Sequence, residues 1–371
     1  MKTNQLKLLL LITITTIIVA VISSHYRSPT SSIQKELLFP ELNTRINDVS
    51  EISIQGNEAT LNLIRTADKW GIKEADGYPA LFNNIRQTVI AVSTLRIVAQ
   101  KTSNPALYAR LGVEAPETKR ALSHLLTLKD SSGQTLASLI VGKARHSKSA
   151  IDNPGIYVRL PDQEQALLVE GMLGISANIS DWFRRQVFDI KSDRVREISI
   201  QHHDGTTVLL KRENDIDELM LTNIPEGKKA QSEVILSSMG IMLESLLVDN
   251  VRATDKVEYP EVQSTATLKT FDGIIATIHS AKVGEHRYAR FSFTYDASIA
   301  EPLDVDSSNA DDSGVDKSSV AQEVDYLTEV TYGWLYEIPE FKFKLFTKRL
   351  SNLIRDPDEN DKIPELGSPG Q

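Results

Sequence analysis

Cysteine is absent from all 371 residues, which removes disulfides, thiolate zinc sites, iron–sulfur clusters and cysteine nucleophiles at once. Lipoprotein-type acylation goes with them. Basic charge is in short supply: 41 Lys and Arg stand against 50 Asp and Glu, a formal net charge of −9. A nucleic-acid binder carries the opposite balance, so no nucleic acid is expected as a partner. The chain also lacks a Walker A loop, a Gly-x-Gly-x-x-Gly fingerprint and a Gly-x-Ser-x-Gly elbow, so it is not the ATPase of any transporter. After residue 24 no long uncharged run recurs, which allows one membrane pass at most. What is present is a globular balance, 41% hydrophobic and 25% charged, in a length that suits about two domains.

The N-terminus reads as an anchor. Leu8 to Ile22 contains fifteen residues without a charge, and Ser23 and Ser24 extend the run to seventeen. As a helix these span ~25 Å, the short limit for crossing a bilayer. No pair of small residues is placed for cleavage before a convincing mature start, so the segment is expected to remain attached. Lys2 and Lys7 before the run are balanced by His25, Arg27 and Lys35 after it, so the short head decides the orientation. The expected order is a cytoplasmic head at 1–7, a transmembrane anchor at 8–24 and an exported body. Residues 25–45, with Pro29, Pro40 and a Ser/Thr cluster, read as a linker.

The body contains an internal repeat. Val49-Ser50-Glu51-Ile52-Ser53-Ile54-Gln55 recurs as Val195-Arg196-Glu197-Ile198-Ser199-Ile200-Gln201, 146 residues later. Each copy alternates apolar and polar residues as a half-buried strand does, and a second short strand follows. A helix is expected at Ala80 to Leu95 and its counterpart at Ser232 to Leu247. Hairpins follow through Gly133 and Gly273, then strands at Tyr157-Val158-Arg159 and Tyr288-Ala289-Arg290, and Trp182 and Trp334 close the copies. The fold class is therefore α+β, two tandem copies of a mainly antiparallel strand–strand–helix–hairpin–strand unit, at 46–187 and 188–350. Tyr157 to Trp182 spans 25 residues and Tyr288 to Trp334 spans 46, a surplus that coincides with residues 301–325. That stretch holds eight acidic residues and one Lys and is expected to be a mobile insertion. Residues 351–371 read as a polar tail.

These residues resemble a known family. Trp70-Gly71-Ile72, Tyr108 to Pro116 (YARLGVEAP), Ile140-Val141-Gly142-Lys143, Gly155 to Arg159 (GIYVR) and Asp181-Trp182-Phe183 follow one another behind an anchored N-terminus. In this the chain is similar to the bacterial domain-of-unknown-function family 4340, whose members are often encoded beside gliding-type ABC transporter genes. The first unit matches best; the second departs at Val257-Glu258-Tyr259-Pro260 and in its acidic insertion. The resemblance implies an auxiliary envelope subunit of an ABC-type export or gliding-like system; together with the anchor, the expected location is the bacterial inner membrane, single-pass, with the body facing the periplasm. The resemblance supplies no catalytic residue, and the motif positions read as architecture, with Pro116 turning the chain and Gly142 ending a strand.

A search for chemistry singles out no catalytic, cofactor-binding or metal-ligating residue. The seven histidines are His25, His124, His146, His202, His203, His279 and His286, and none has metalloprotease spacing. His202 and His203 are neighbours on a strand end, point to opposite faces and cannot easily share a metal; both read as exposed turn residues. Asp304-Val305-Asp306 fails as a calcium loop, because Asn309 and Val315 stand where Gly and Glu belong. Arg184-Arg185 and Lys342-Lys344-Lys348-Arg349 are small basic clusters, the second read as a strand with Phe341, Phe343 and Phe346 facing inward. The expected function is a non-enzymatic binding or accessory module, auxiliary to an ABC-type export or gliding-like system, with a permease or another envelope protein as partner. Two other readings stand beside it: an envelope hydrolase with an unrecognised carboxylate site, and a purely structural scaffold.

Overall fold

The computed structural model describes residues 36–145, 154–258, 261–300 and 317–357. The expected head, the anchor, residues 25–35 of the linker, residues 301–316 of the acidic insertion and residues 358–371 of the tail lie outside the described residues. Among the described residues no helix is long and apolar enough to cross a membrane.

Alternating apolar residues build two large antiparallel sheets, with few helices. The first takes β1 (Val49–Gln55), β2 (Thr60–Thr66), β3 (Lys69–Ile72), β4 (Tyr78–Pro79), β5 (Arg96–Gln100), β6 (His124–Asp130), β7 (Thr135–Arg145), β8 (Gly155–Arg159) and β9 (Ala166–Glu170). Its order is β4-β3-β2-β1-β6-β7-β8-β9-β5. The remaining strands are β10 (Gln186–Phe188), β11 (Val195–His202), β12 (Thr207–Lys211), β13 (Met220–Leu221), β14 (Lys229–Ala230), β15 (Leu246–Leu247), β16 (Asn250–Ala253), β17 (Ser264–Thr270), β18 (Ile274–Val283), β19 (His286–Tyr295), β20 (Trp334–Glu337) and β21 (Ile354–Arg355). Eight of these form the second sheet, in the order β13-β12-β11-β17-β18-β19-β20-β16. The two orders correspond strand for strand from the third strand of the first sheet onward. On the central ladders, Ile52 faces Leu128 and Ile54 faces Leu126, while Ile198 faces Leu268 and Ile200 faces Ala266. Both β1 and β11 shift register at the same place, between Val49 and Glu51 and between Val195 and Glu197. Each has a charged rung beside the shift: Lys129 to Glu51 at 2.9 Å and Lys269 to Glu197 at 3.0 Å.

The helices are α1 (Pro40–Thr44), α2 (Phe82–Thr94), α3 (Tyr108–Leu111), α4 (Glu233–Ser237), α5 (Lys317–Thr331) and α6 (Glu340–Phe346). In α2, Ile85, Val89 and Val92 recur at helical spacing and enter the core. Several expectations are corrected. The linker ends by residue 36, since Leu37 bridges to Arg96 and α1 buries Leu42. The helix expected over Ser232 to Leu247 is broken: α4 is one short turn and a 3-10 turn follows at Gly240–Leu243. Ser245 then takes a left-handed φ of 47° ahead of β15. The acidic insertion gives its last nine residues to α5, where Val320, Val324 and Leu327 form a buried stripe. Phe343 and Phe346 are buried on a helix, not a strand, because Pro339 starts α6. Residues 351–357 belong to the fold: Leu353 is buried and β21 pairs with β14. Trp182 and Trp334 are not equivalent, since Trp334 opens β20 within the sheet while Trp182 follows a 3-10 turn beyond the last strand of its own sheet.

The sheets share one core, which runs continuously from Leu42 to Leu353. At the seam Asp76 has a left-handed φ of 54°, a conformation Asp tolerates, and Gly77 follows with φ 87°. The Asp76 carboxylate accepts hydrogen bonds from Arg252 Nε at 2.7 Å and the Ala253 amide at 3.1 Å. Two residues on, the Tyr78 ring meets Phe183, Trp334 and Tyr336 edge-on at 5.6, 4.9 and 6.2 Å. Between the two large sheets in sequence, β10 pairs with β15 in a separate two-stranded sheet.

Three of the motif segments that carry the family resemblance, Tyr108 to Pro116, Ile140 to Lys143 and Gly155 to Arg159, converge on the first sheet, while Trp70, Trp182 and Phe183 of the other two enter the main core. Tyr108, Val113, Ile140 and Ala166 form a small second core with Tyr157 against it. The Arg159 guanidinium lies over the Tyr108 ring at 4.8 Å and donates to Val113 O and to the carbonyls of residues 160, 161 and 163. Gly142 does not end a strand but sits within β7, where an added Cβ would lie 2.6 Å from Leu111 O and 2.7 Å from Gly112 O. Backbone cannot yield as a flexible side chain can, so Gly142→Ala should destabilise the protein by about 1–3 kcal/mol. Gly174, with nothing within 4 Å of an added Cβ, is the control. Thermal unfolding should show a clear loss for Gly142→Ala and near-neutrality for Gly174→Ala; equal effects would contradict the close approach.

Candidate functional site

A cavity of about 760 Å³ opens where the first sheet meets residues of the second. One wall comes from the β1–β2 turn (Gly56 to Ala59), from Arg120 to His124 and from Ser176 to Ile179; Asp249, Asn250 and Glu337 supply the other. Local hydrogen bonds fix the first wall. Gly56 N–H donates to Ala59 O, and the Asn57 amide donates to Pro116 O and Thr118 O at 2.9 and 2.8 Å. The Ser176 hydroxyl accepts from the Asn178 amide, Asn178 caps the Ser180 amide, and Trp182 Nε1 donates to Ser176 O at 2.9 Å. Arg120 holds a left-handed φ of 65°, which turns the chain before β6.

The second wall carries two engaged carboxylates. Asp249 N–H donates to Glu337 O, fixing the two residues together. The Glu337 carboxylate bonds His286 Nδ1 at 2.7 Å, and Asp249 accepts from Arg185 Nη2 at 2.8 Å. The cleft thus offers donors and acceptors of both signs, with Glu58 and Arg120 adding one charge of each.

The histidines found in the sequence are scattered. His124 lines the cleft, and His286 stands behind Glu337. His202 is buried, not exposed in a turn as expected, and bonds Lys348 O at 3.1 Å, while His203 on the opposite face meets Glu261. His279 shares a hydrogen bond with Thr265, and His25 and His146 lie outside the described residues. Among the described residues, no group of three or more His, Asp and Glu gathers to hold a metal. The basic clusters are engaged within the chain. Arg185 holds Asp249 and Val248 O, Lys344 pairs with Glu340 at 2.8 Å, and Arg349 pairs with Asp204 at 2.6 Å. Lys342 is buried, donates to Glu244 O at 2.6 Å and also to Ile241 O, and burial holds its pKa down. Asn57, Arg120 and Asp249 are far apart in sequence, so the cleft becomes visible only once the sheets are assembled. The one prior signal was the repeat, which implies a junction.

The family model for a domain of unknown function, DUF4340, matches residues 70–264, more than half of the chain. No curated protein and no solved structure matches it.

Burial lowers the His124 pKa below 6.5, and burial with Arg290 does the same for His279. The unfolded chain therefore binds more protons than the folded one in the window below about pH 6.5, and stability falls as pH falls through it. The melting temperature should drop on acidification from pH 7.5 to 5.5, and His124→Gln should flatten that slope. An unchanged slope in the variant would contradict the burial of a neutral imidazole at the cleft wall.

Proposed function

This chain belongs to the DUF4340 family, and from that premise we propose that it is a membrane-anchored, non-enzymatic binding module of the bacterial envelope. In this reading residues 8–24 cross the inner membrane once and the body faces the periplasm. The body consists of two tandem copies of one unit, and the cleft at their junction takes part of a partner protein. An ABC-type permease in the same membrane is the partner the resemblance suggests.

The observation that carries the reading is the cleft itself. Its walls come from both sheets, so it exists only in the assembled pair. Two of its carboxylates are already engaged, Glu337 with His286 and Asp249 with Arg185. Such a lining suits hydrogen bonding to a polar segment of a partner. The matching strand orders and the shared bulge at an offset of 146 residues support duplication of one unit. The uncharged run at 8–24 supports the anchor.

Two measurements on cells test this together. A reporter fused after residue 30 should be active in the periplasm, and cytoplasmic activity would overturn the orientation. Mild crosslinking of the full chain in native membranes should co-isolate a permease or another envelope protein. That yield should fall several-fold when Asp249→Arg reverses a cleft charge. Recovery of the chain alone would remove the partner claim.

A further inference from the structure

We propose that the outer face of α2 rests on an anionic phospholipid surface, so that the body lies against the membrane instead of standing free of it. This rests on the anchored reading above and adds an orientation to it. The acidic residues of the chain number 50 in 371, yet none occurs between Asp76 and Glu114. Those 37 residues carry four basic groups, Arg86, Arg96, Lys101 and Arg110, and they include all of α2 and β5.

On α2 the outward side chains are mixed in a way that a solvated helix is not. Phe82 is 60% exposed and Ile90 is 45% exposed, with exposed Arg86 between them at helical spacing. A groove of about 240 Å³ runs beside this stripe, lined by Ile46, Arg65, Trp70, Phe82, Arg86 and Ile90 among others, with no acidic residue. Across the helix, Met172 is 74% exposed and lines a second groove with Gln87 and Ala91, where Asp181 is the one acidic residue in the lining. Large apolar groups flanked by guanidinium suit a bilayer interface, where rings and alkyl groups enter the headgroup layer and Arg meets lipid phosphate.

The path of the chain selects a lipid surface over a protein as occupant. Leu38 N–H donates to Leu95 O at 2.8 Å, and Ile97 N–H donates to Glu36 O at 2.9 Å. The chain therefore reaches the body at the C-terminal end of α2. Only residues 25–35 separate that point from the proposed anchor, a reach of at most ~36–40 Å. The helix itself is ~20 Å long, so its whole exposed face stays within reach of the bilayer.

The absence of cysteine makes the test clean. The full chain is given one cysteine, Ile90→Cys, or Ile216→Cys at a position 88% exposed on the second half, and labelled with an environment-sensitive fluorophore. Each is reconstituted in phosphatidylcholine vesicles with and without phosphatidylglycerol, with brominated lipid as quencher. The Ile90 label should shift to the blue and be quenched several-fold more than the Ile216 label when phosphatidylglycerol is present. High salt should weaken the effect. Arg86→Glu, or Asn83→Glu if the first variant folds poorly, should abolish it. Equal quenching of the two labels in anionic vesicles would overturn the proposal. Shielding of the Ile90 label in native membranes but not in purified vesicles would also overturn it, in favour of an acidic protein. Flotation with phosphatidylcholine vesicles alone reads the anchor separately, so failure of the anchored reading is distinguishable from failure of the α2 face.

Discussion

Two neighbouring side chains, Asp76 and Tyr78, set how the two sheets meet. The left-handed turn at Asp76 aims its carboxylate at Arg252 and at the Ala253 amide, both on the edge strand β16. A charge-assisted bond of this kind fixes direction as well as distance, and the pairing holds the Arg252 guanidinium above its ordinary pKa. Tyr78 then fills the space between Phe183, Trp334 and Tyr336, and burial raises its own pKa. From this contact follow the continuous core, the position of Asn250 and Glu337 opposite the β1–β2 turn, and the cleft between them.

A second cluster ties the acidic region to the fold. Arg194 donates to Asp272 at 2.6 and 2.9 Å and to Glu323 of α5 twice at 2.9 Å, with the Thr270 hydroxyl bonded to the other Asp272 oxygen. Burial works against the charge on Arg194, but Glu323 and Asp272 outweigh it and raise its pKa. Removing one partner would leave a buried charge uncompensated, which costs more than the pair contributes as a whole. One carboxylate of the acidic stretch at 301–325 is thus put to structural use, at Glu323.

Much of the sheet architecture was legible in the sequence, because strand alternation is a local signal. Val49 to Gln55 and its echo at Val195 to Gln201 announced β1 and β11, and α2 announced itself by Ile85, Val89 and Val92. What the sequence hid depends on contacts from far away. Lys342 and the phenylalanines around it alternate like a strand but follow Pro339, and tertiary burial of Phe343 and Phe346 makes a helix. The Ser232 to Leu247 segment has helical spacing, yet it breaks after α4 at Gly240 and again at Ser245, whose backbone is left-handed. Gly142 looked like a strand end because the segment that presses on it lies 30 residues upstream. The cleft was the least legible feature, since its lining is drawn from five separated stretches.

The central claim is that both sheets form one cooperative body through a shared core. Guanidinium unfolding of the purified chain tests it most directly, followed by tryptophan fluorescence, with Trp70 and Trp182 in the first half and Trp334 at the seam, and by hydrogen exchange at β1 and β11. The account predicts one transition, coincident for both probes, with β1 and β11 amides opening together at the global free energy. Two separated transitions, with β11 protected after β1 has exchanged, would contradict it.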